Sequence, residues 1–360
     1  MDIKNIINKF DMTENVISVE PFGNGHINDT FLLKTEKGDF VLQNLNTKVF
    51  KKYDGLSNNI TLVTTHINNQ IIAKNGHLTK EALIYIPCKD GKYYYYDKGN
   101  CYRIRNLIPD SVVYQQSDDV CILQEAGKCL GEFIEKLDNF DAKALCEVIP
   151  NFHNTSSRYK DFKRSVEKHL ANKNNKAIKE IKFVKERADL TGEIVDKLET
   201  GELPLRVTHN DTKLNNILFD SKTNKALCLI DLDTIMPGSL LYDFGDAIRI
   251  SCSTAEEDEQ NLDKVHFNIE SYDAFTKGFI GAVKDKITPL EVEMLHKGAI
   301  IMTYECGMRF LADYLDGDIY FKVDRESHNL DRARTQFKMV EEMEQRQEEM
   351  KAIAYKYYKN

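Results

Sequence analysis

The sequence predicts an α+β protein with two lobes, a small β-rich lobe at the N-terminal end and a larger, mainly helical lobe after it. In the first hundred residues, apolar and polar residues alternate between glycine-containing turns, a pattern typical of antiparallel strands. After Pro109, apolar residues instead recur at helical spacing. The chain has 360 residues, enough for two lobes and too many for one compact core. We therefore expect residues 1–108 to form the first lobe and residues 109–360 the second.

The first lobe is predicted to begin with three antiparallel strands. They correspond to the segments ISVEPFG, DTFLLKT and GDFVLQNLN, with a turn at Lys37–Gly38 before the third. Residues 57–74 place their apolar side chains on one face, which predicts a helix. The segment EALIYIPCKDGKYYYYD predicts a hairpin that turns at Lys89–Gly91, and NCYRIRNLI predicts one more strand.

The second lobe is predicted to consist mostly of helices. Apolar residues at helical spacing predict helices at 120–137 and 288–312, and the charged composition of 156–200 also favours helix. The C-terminal segment from residue 333 carries acids in its middle and lysines later, as the helix dipole prefers. Two apolar runs, PLRVTHND and ALCLIDLD, predict short buried strands that end in polar residues.

Composition excludes several classes of function. The formal net charge is −8, from 57 acidic and 49 basic residues without a basic block, so no nucleic-acid partner is expected. The eight cysteines form no C-x-x-C pair, which argues against a zinc ribbon and favours a reducing compartment. The N-terminal segment lacks a signal-peptide core, and no apolar run approaches membrane-spanning length. We expect a cytoplasmic protein without a membrane partner, and the sequence predicts no oligomeric state.

Polar residues are concentrated in the segment VTHNDTKLNNILFDSKTNKALCLIDLD. Asp211 and Asn216 lie five residues apart, and Asp231 follows twenty residues after Asp211. Phosphoryl transfer needs a carboxylate that takes the proton of the acceptor, and Asp and Asn oxygens that bind magnesium. The catalytic loop of protein kinases uses the same residue types in the same order. The alternative, that Asp211 only caps a helix, does not account for the other two residues.

The segments HNDTKLNNILF and LIDLDTIMPGSLLYDFGDAIR resemble the two signature motifs of the aminoglycoside phosphotransferase and choline kinase superfamily. The resemblance implies a bilobal protein-kinase-like fold, with a nucleotide-binding lobe followed by a catalytic and substrate-binding lobe. It implies ATP and Mg²⁺ as cofactors, Asp211 as the catalytic base, and Asn216 and Asp231 as magnesium ligands. Asp243 and Asp246 are expected to have structural roles, because the corresponding acid of the superfamily supports the catalytic segment.

The phosphate-binding part of the first lobe departs from the kinase pattern. Gly23 and Gly25, in the turn PFGNGHINDTF, allow the backbone to approach phosphates. The next strand should carry a lysine for the phosphates, but Gln43 stands there. The predicted helix 57–74 has no acid to hold that lysine, so the lysine and its acid are absent together. We predict an active enzyme with an altered phosphate contact, since the proposed base and metal ligands are retained. The Gln43 amide either donates to a phosphate oxygen or only fills the space of the lysine.

Further segments narrow the acceptor. GNGHINDTF, VLQNLN, IDLDT, ECGMRFLADYLDGDIYF and HNLDRARTQ resemble the N-acetylhexosamine 1-kinase group, in which the strand also carries glutamine. That resemblance implies transfer of phosphate from ATP to the anomeric hydroxyl of N-acetylglucosamine or N-acetylgalactosamine. The alternatives are a kinase of the same superfamily for another sugar or an amino alcohol, and a nucleotide-binding pseudokinase.

Five residues are predicted to bind the sugar. Asp211 would bind the hydroxyl that it deprotonates, and His26 and Asn28 would close over the sugar from the glycine turn. Arg309 and Tyr320 would supply hydrogen bonds from the second lobe. For Arg309 the alternative is a structural salt bridge, because an unpaired charge within an apolar helix is costly. For Tyr320 the alternative is a packed core aromatic.

Overall fold

The computed structural model describes residues 3–22, 29–45, 52–171 and 176–359. It confirms the predicted fold class, since a β-rich N-terminal part precedes a mainly helical C-terminal part. In the described residues, no helix is long and apolar enough to span a membrane.

A six-stranded antiparallel sheet forms the N-terminal part, in the order β1-β2-β3-β6-β4, with β5 also paired to β6. The strands are β1 (Val16–Pro21), β2 (Asp29–Thr35), β3 (Phe40–Leu45), β4 (Tyr85–Ile86), β5 (Tyr95–Asp97) and β6 (Asn100–Asn106). The three predicted antiparallel strands are confirmed, and the turn before β3 lies at the predicted place.

The hairpin predicted around Lys89–Gly91 is only partly correct. The turn forms, and the Cys88 N–H donates to the carbonyl oxygen of Lys92 at 2.6 Å. However, β4 and β5 each pair with β6 and not with each other. The seven residues of β6 have room for β4 at one end and β5 at the other, and a local turn signal cannot reveal this competing partner.

The two faces of the sheet are covered by different parts of the chain. Leu42 and Ile104 pack with the N-terminal helix on one face, and Leu45 and Cys101 pack with the long helix α2 on the other. Side chains alternate along a strand, so Gln43 lies on the α2 face. The helices of this part are α1 (Ile3–Ile7), α2 (Tyr53–Ala73) and α3 (Leu78–Glu81). The helix predicted at 57–74 corresponds to α2, which begins four residues earlier, at Tyr53.

The C-terminal part combines helices with short strands. Its strands are β7 (Ser111–Val112), β8 (Arg206–Thr208), β9 (Ile217–Asp220), β10 (Ala226–Leu229) and β11 (Met236–Gly238). Its helices are α4 (Val120–Lys136), α5 (Thr155–Ala171), α6 (Ile178–Glu186), α7 (Val195–Thr200), α8 (Leu240–Ser251), α9 (Ile269–Val283), α10 (Pro289–Asp316), α11 (His328–Gln345) and α12 (Gln347–Lys359).

Helices α4 and α9 pack unusually closely. A Cβ atom built at Gly127 of α4 would overlap the carbonyl oxygen of Phe275, and one built at Gly278 of α9 would overlap that of Gln124. Glycine is therefore required at both positions, because any side chain would push the helices apart. Helix α4 of this pair also packs against β8 and β10, the strands that precede the polar segments.

Helix α10 begins and ends at identifiable signals. Thr288 and Glu291 form a capping box at its start, with Pro289 in the first turn. Gly317 ends the helix in the left-handed conformation, with φ of 96°. The helix predicted at 288–312 is thus confirmed and extends four residues further, to Asp316.

Candidate active site

Two loops bring the polar residues of the central segment together. One loop follows β8 and leads into β9, and the other follows β10 and leads into β11. The strands pair as β8 with β11 and β9 with β10, so both loops leave the same region. The Ile230 N–H donates to the carbonyl oxygen of Asn216 at 2.8 Å, which joins the two loops directly.

His209 is a structural link between these loops. Its side chain is fully buried, and Nε2 donates to the carbonyl oxygen of Ile230 at 2.9 Å. Its Nδ1 accepts the Asp211 N–H at 3.3 Å. Both ring nitrogens are therefore used, and the pattern fits a neutral ring protonated on Nε2. His209 therefore fixes the backbone of Asp211, and neither of its ring nitrogens is left to exchange a proton with a substrate.

Asp243, on α8, supports the same loop from below. Its carboxylate accepts the backbone N–H groups of His209 at 2.8 Å and Asn210 at 2.7 Å. Its backbone carbonyl accepts the Thr212 hydroxyl at 2.6 Å. Burial raises the pKa of Asp243 to about 6, although the backbone N–H groups of His209 and Asn210 act in the opposite direction. The supporting role expected for Asp243 agrees with this geometry.

Asp211 lies at the edge of this network, between an amide and an ammonium group. Asn216 Nδ2 donates to its carbonyl oxygen at 2.8 Å and to its Oδ2 at 2.9 Å. Lys213 Nζ lies 3.1 Å from the same Oδ2. Burial alone would lower the pKa of Lys213, but the charge of Asp211 outweighs it and the pKa is raised. Oδ1 of Asp211 has no hydrogen-bond partner in the described residues.

Asp231 lies close enough to Asp211 for their charges to interact, and its backbone adopts the left-handed conformation, with φ of 59°. Burial, and then the charges of Asp233 and Asp211, raise the pKa of Asp231 to about 6. Carboxylates held at short range in this way are stabilised by a bound cation. Asn216 offers its Oδ1, because its Nδ2 is already bonded to Asp211.

This donor set fits magnesium bound together with a nucleotide. Within the described ranges no group of three His, Cys, Asp or Glu residues could hold a metal unaided. Mg²⁺ is usually held by one or two protein oxygens and by substrate phosphates, so Asn216 and Asp231 suffice.

Gln43 lies on β3, directly opposite Arg103 of β6. Arg103 Nε donates to Gln43 Oε1 at 2.9 Å, and Arg103 Nη1 forms an ion pair with Asp233. The expectation that the long helix has no acid is wrong, because α2 begins at Tyr53 and carries Asp54. Asp54 accepts the hydroxyl of Tyr94, and among the described residues it has no ion-pair partner.

Arg309 and Tyr320 lie at another part of the C-terminal region. The Arg309 guanidinium lies over the rings of Phe152 and Phe321, 5.5 and 5.6 Å from their centroids. It has no carboxylate within ion-pair distance in the described residues. Tyr320 is 69% exposed, which excludes the packed-aromatic alternative, and its ring contacts the edge of Phe321.

A buried acid shapes the turn that carries Tyr320. The Asp313 carboxylate accepts the N–H groups of Ile319, Tyr320 and Phe321 at 2.8 to 3.0 Å. Asn329 is fully buried and donates to Asp313 at 3.0 Å. The segment HNLDRARTQ thus holds the turn in place through Asn329.

The remaining predicted residues, Gly23, Gly25, His26 and Asn28, lie outside the described residues. Sequence reasoning did not single out Lys213, Arg103 or Asp233. Lys213 was within reach of sequence reasoning, because it lies two residues after Asp211. The partnership of Arg103 was not, because strand register and long-range pairing do not appear in a local pattern.

A model of the phosphotransferase enzyme family matches residues 18–275, more than half of the chain. The fold is similar to that of choline kinase from Cryptosporidium parvum, with a TM-score of 0.59, 15% identity and 99% of both chains covered. A microcompartment-associated aminopropanol kinase has a TM-score of 0.55 and 14% identity, with 97% of both chains covered. A spectinomycin phosphotransferase, solved with ADP and spectinomycin, has a TM-score of 0.52 and 11% identity over 95% of this chain and 93% of that one.

Proposed function

The chain belongs to the phosphotransferase enzyme family, and from that premise we propose that it transfers the γ-phosphoryl group of ATP to the anomeric hydroxyl of an N-acetylhexosamine. The acceptor is N-acetylglucosamine or N-acetylgalactosamine, and the product is the sugar 1-phosphate. Residues 1–108 act as the nucleotide-binding lobe, and residues 109–360 supply the catalytic and acceptor-binding groups.

The observation that carries the reaction class is the arrangement of Asp211 in its loop. The buried ring of His209 and the acid of Asp243 fix the loop, and Asn216 orients the carboxylate. Oδ1 remains for the acceptor hydroxyl, from which it takes the proton as the new bond to phosphorus forms. Lys213, next to the other carboxylate oxygen, is placed to offset charge on the transferred phosphoryl group.

Asn216 and Asp231 are the residues that would hold Mg²⁺. When bound, the ion would offset the negative charge of the nucleotide phosphates. The raised pKa of Asp231 supports this role, because its burial beside two other acids leaves a deficit of positive charge. Retention of these residues beside Asp211 favours an active enzyme over a pseudokinase.

The charge around Arg309 favours a neutral acceptor. Burial lowers the pKa of Arg158, and the positive charge of nearby Arg309 lowers it further. The nearby acid, Glu305, is already occupied by His153 at 2.9 Å and Thr155 at 2.5 Å. The pKa of Glu305 is lowered, so this acid stays charged, but two guanidinium charges outnumber it. The remaining positive charge would repel choline, an amino alcohol or an aminoglycoside.

The same groups suit an amido-sugar. A guanidinium without a carboxylate partner has several N–H donors for sugar hydroxyls or an acetamide carbonyl. Its flanking rings offer an apolar surface for the face of a pyranose. Side-chain contacts connect this region to the loop of the base, because the His153 ring, bonded to Glu305, lies 5.4 Å from the ring of Tyr242, which precedes Asp243 on α8. The predicted roles of His26 and Asn28 are kept as part of the proposal.

The proposal is tested by phosphorus NMR of the protein with Mg-ATP and N-acetylglucosamine. The experiment is repeated with N-acetylgalactosamine, choline, aminopropanol and kanamycin. We expect a new phosphorus signal coupled to the anomeric proton of an N-acetylhexosamine, and none with Asp211→Asn.

Each alternative gives a different result. A signal only with choline or aminopropanol would keep the phosphotransferase and overturn the sugar, and it would show that Arg158 and Arg309 do not face the acceptor. ATP that stays intact with every acceptor would overturn the reaction and favour a pseudokinase.

A further inference from the structure

A buried arginine lies where the sequence lacks its expected lysine. Arg103 of β6 is directly opposite Gln43 of β3, and its side chain is 4% exposed. A guanidinium group is rarely buried to this extent unless its charge and its N–H groups are satisfied. The partners of Arg103 therefore indicate the role of this residue.

In the part of the chain that the structure describes, three side chains contact this guanidinium. Nε donates to Gln43 Oε1 at 2.9 Å, Nη1 is paired with Asp233, and the ring centroid of Tyr85 lies 5.5 Å away. Burial acts to lower the pKa of Arg103, but the charge of Asp233 outweighs it and the pKa is raised. Arg103 therefore keeps its positive charge in this buried position.

The acid of this pair comes from an unexpected place. Asp233 lies two residues after Asp231, in the loop between β10 and β11, and its side chain is 4% exposed. The acid on α2, Asp54, is bonded to Tyr94 instead. The ion pair therefore connects the sheet of the N-terminal part to the loop that carries Asp231.

We propose that Gln43, Arg103 and Asp233 form a relay that replaces the lysine and glutamate pair of other kinases. Arg103 is a positioning residue: it holds the loop with Asp231 at a fixed distance from the sheet, so that a magnesium–nucleoside polyphosphate fits between them. This proposal rests on the proposed function, because it assigns the device that builds the nucleotide site of that same reaction.

The relay also determines the orientation of the Gln43 side-chain amide. Because Oε1 accepts from Arg103, the Nε2 hydrogens are left to donate elsewhere. Within the described part of the chain, Nε2 has no hydrogen-bond partner. Gln43 is thereby oriented to donate to a phosphate oxygen, while the positive charge stays one strand away.

The test compares the wild type with Arg103→Met and with Arg103→Met/Asp233→Asn. The single variant leaves a buried carboxylate without its cation and is expected to lose much of its stability. The double variant removes both charges, so it should unfold within a few degrees of the wild type. Calorimetric titration with Mg-ADP and steady-state kinetics with Mg-ATP are then measured on the double variant.

We expect the double variant to bind Mg-ADP at least tenfold more weakly and to lose at least 30-fold in kcat/KM for ATP. The KM for the acceptor should change less than threefold. Arg103→Lys keeps the charge, but its single ammonium group cannot replace the fork that bonds to Gln43 and Asp233 together. The activity of this variant should lie between those of the wild type and the double variant. Arg105→Met is the matched control, because Arg105 is on the same strand and face but bonds to the carbonyl of Asn106.

A folded double variant with wild-type Mg-ADP affinity and kcat/KM would overturn the relay and leave the proposed function intact. Equal losses in Arg105→Met would also overturn it, since positive charge in general would then explain the effect. A wild type that neither binds Mg-ADP nor transfers phosphate would overturn the relay and the proposed function together.

Discussion

The proposed phosphate side and the proposed acceptor side of the site are built differently. On the phosphate side, Asp211, Asn216 and Arg103 are each held by at least one hydrogen bond or ion pair within the protein. On the acceptor side, Arg309 touches aromatic rings and Tyr320 is largely exposed. The phosphate side is ordered by contacts within the protein before any ligand binds, whereas the acceptor side keeps hydrogen-bond donors that only a ligand would satisfy.

The difference follows from the chemistry on each side. Transfer of a phosphoryl group depends mostly on positioning and charge, and a misplaced base or metal ligand lowers the rate steeply. Binding of an acceptor tolerates adaptable contacts, because specificity comes from which donors find partners. Variants on the phosphate side should therefore change kcat or the KM for ATP, and those on the acceptor side should change the KM for the acceptor.

The largest effect is expected for Asp211→Asn. The amide cannot take the proton of the acceptor, so kcat should fall by roughly 10²–10⁴-fold while Mg-ADP binds normally. Turnover and calorimetric titration measure the two quantities. Asp220→Asn, at the end of β9, is the same chemical change in a turn and should leave both unaltered. Near-wild-type turnover of Asp211→Asn would remove Asp211 as the base.

The next effect is expected for Arg309→Met, which keeps the contacts with the rings and removes the donors. A lost charged hydrogen bond costs about 1.5–3 kcal/mol, so the KM for the sugar should rise roughly ten- to hundredfold with little change in the KM for ATP.

Arg187→Met is the control for Arg309. Arg187 also lies over a ring, that of Phe183, but it is paired with Glu344. Arg187→Met should lower the stability of the protein, because it breaks this ion pair, and should leave the KM for the sugar unchanged. If both variants gave the same kinetics, the contrast between the two sides would fail.

A smaller effect is expected at Gln43. If its amide donates to a phosphate, Gln43→Ala should raise the KM for ATP about tenfold, equivalent to about 1.4 kcal/mol. Gln43→Glu keeps an acceptor for Arg103 but loses the donor, so it should be at least as impaired. An unchanged KM in both variants would mean that the side chain only fills the space of a lysine.

The smallest effect concerns a residue on neither side. His296 of α10 is 5% exposed, and burial lowers its pKa below the ordinary value. Below about pH 6.5 the unfolded chain binds a proton that folded His296 does not, so the free energy of unfolding falls with decreasing pH. The slope for this residue is at most about 1.4 kcal/mol per pH unit.

Urea unfolding at pH 7.5 and 5.5 measures this slope. The difference between the two pH values should be smaller in His296→Gln than in the wild type, while kcat at neutral pH stays the same. An equal difference in both proteins would show that other groups set the acid sensitivity.

The fold class and the core of the phosphate side were predictable because their signals are local. Alternation, glycine turns and helical spacing predicted the sheet and most helices, and the spacing of Asp211, Asn216 and Asp231 predicted a cluster. The errors were also local in origin. The hairpin at Lys89–Gly91 failed because β6 offered both strands another partner, and the start of α2 was placed too late to include Asp54.

The sequence by itself determined that this chain is a two-part α+β phosphotransferase, and it predicted a base and metal ligands at fixed spacing. It also showed that Gln43 stands in place of a lysine. Only the tertiary structure decided where the missing positive charge went, because Arg103 and Asp233 are 130 residues apart and meet only when the sheet packs against the loop after β10. A buried charge must find its counterpart in space, and neighbours in space are set by packing rather than by position along the chain.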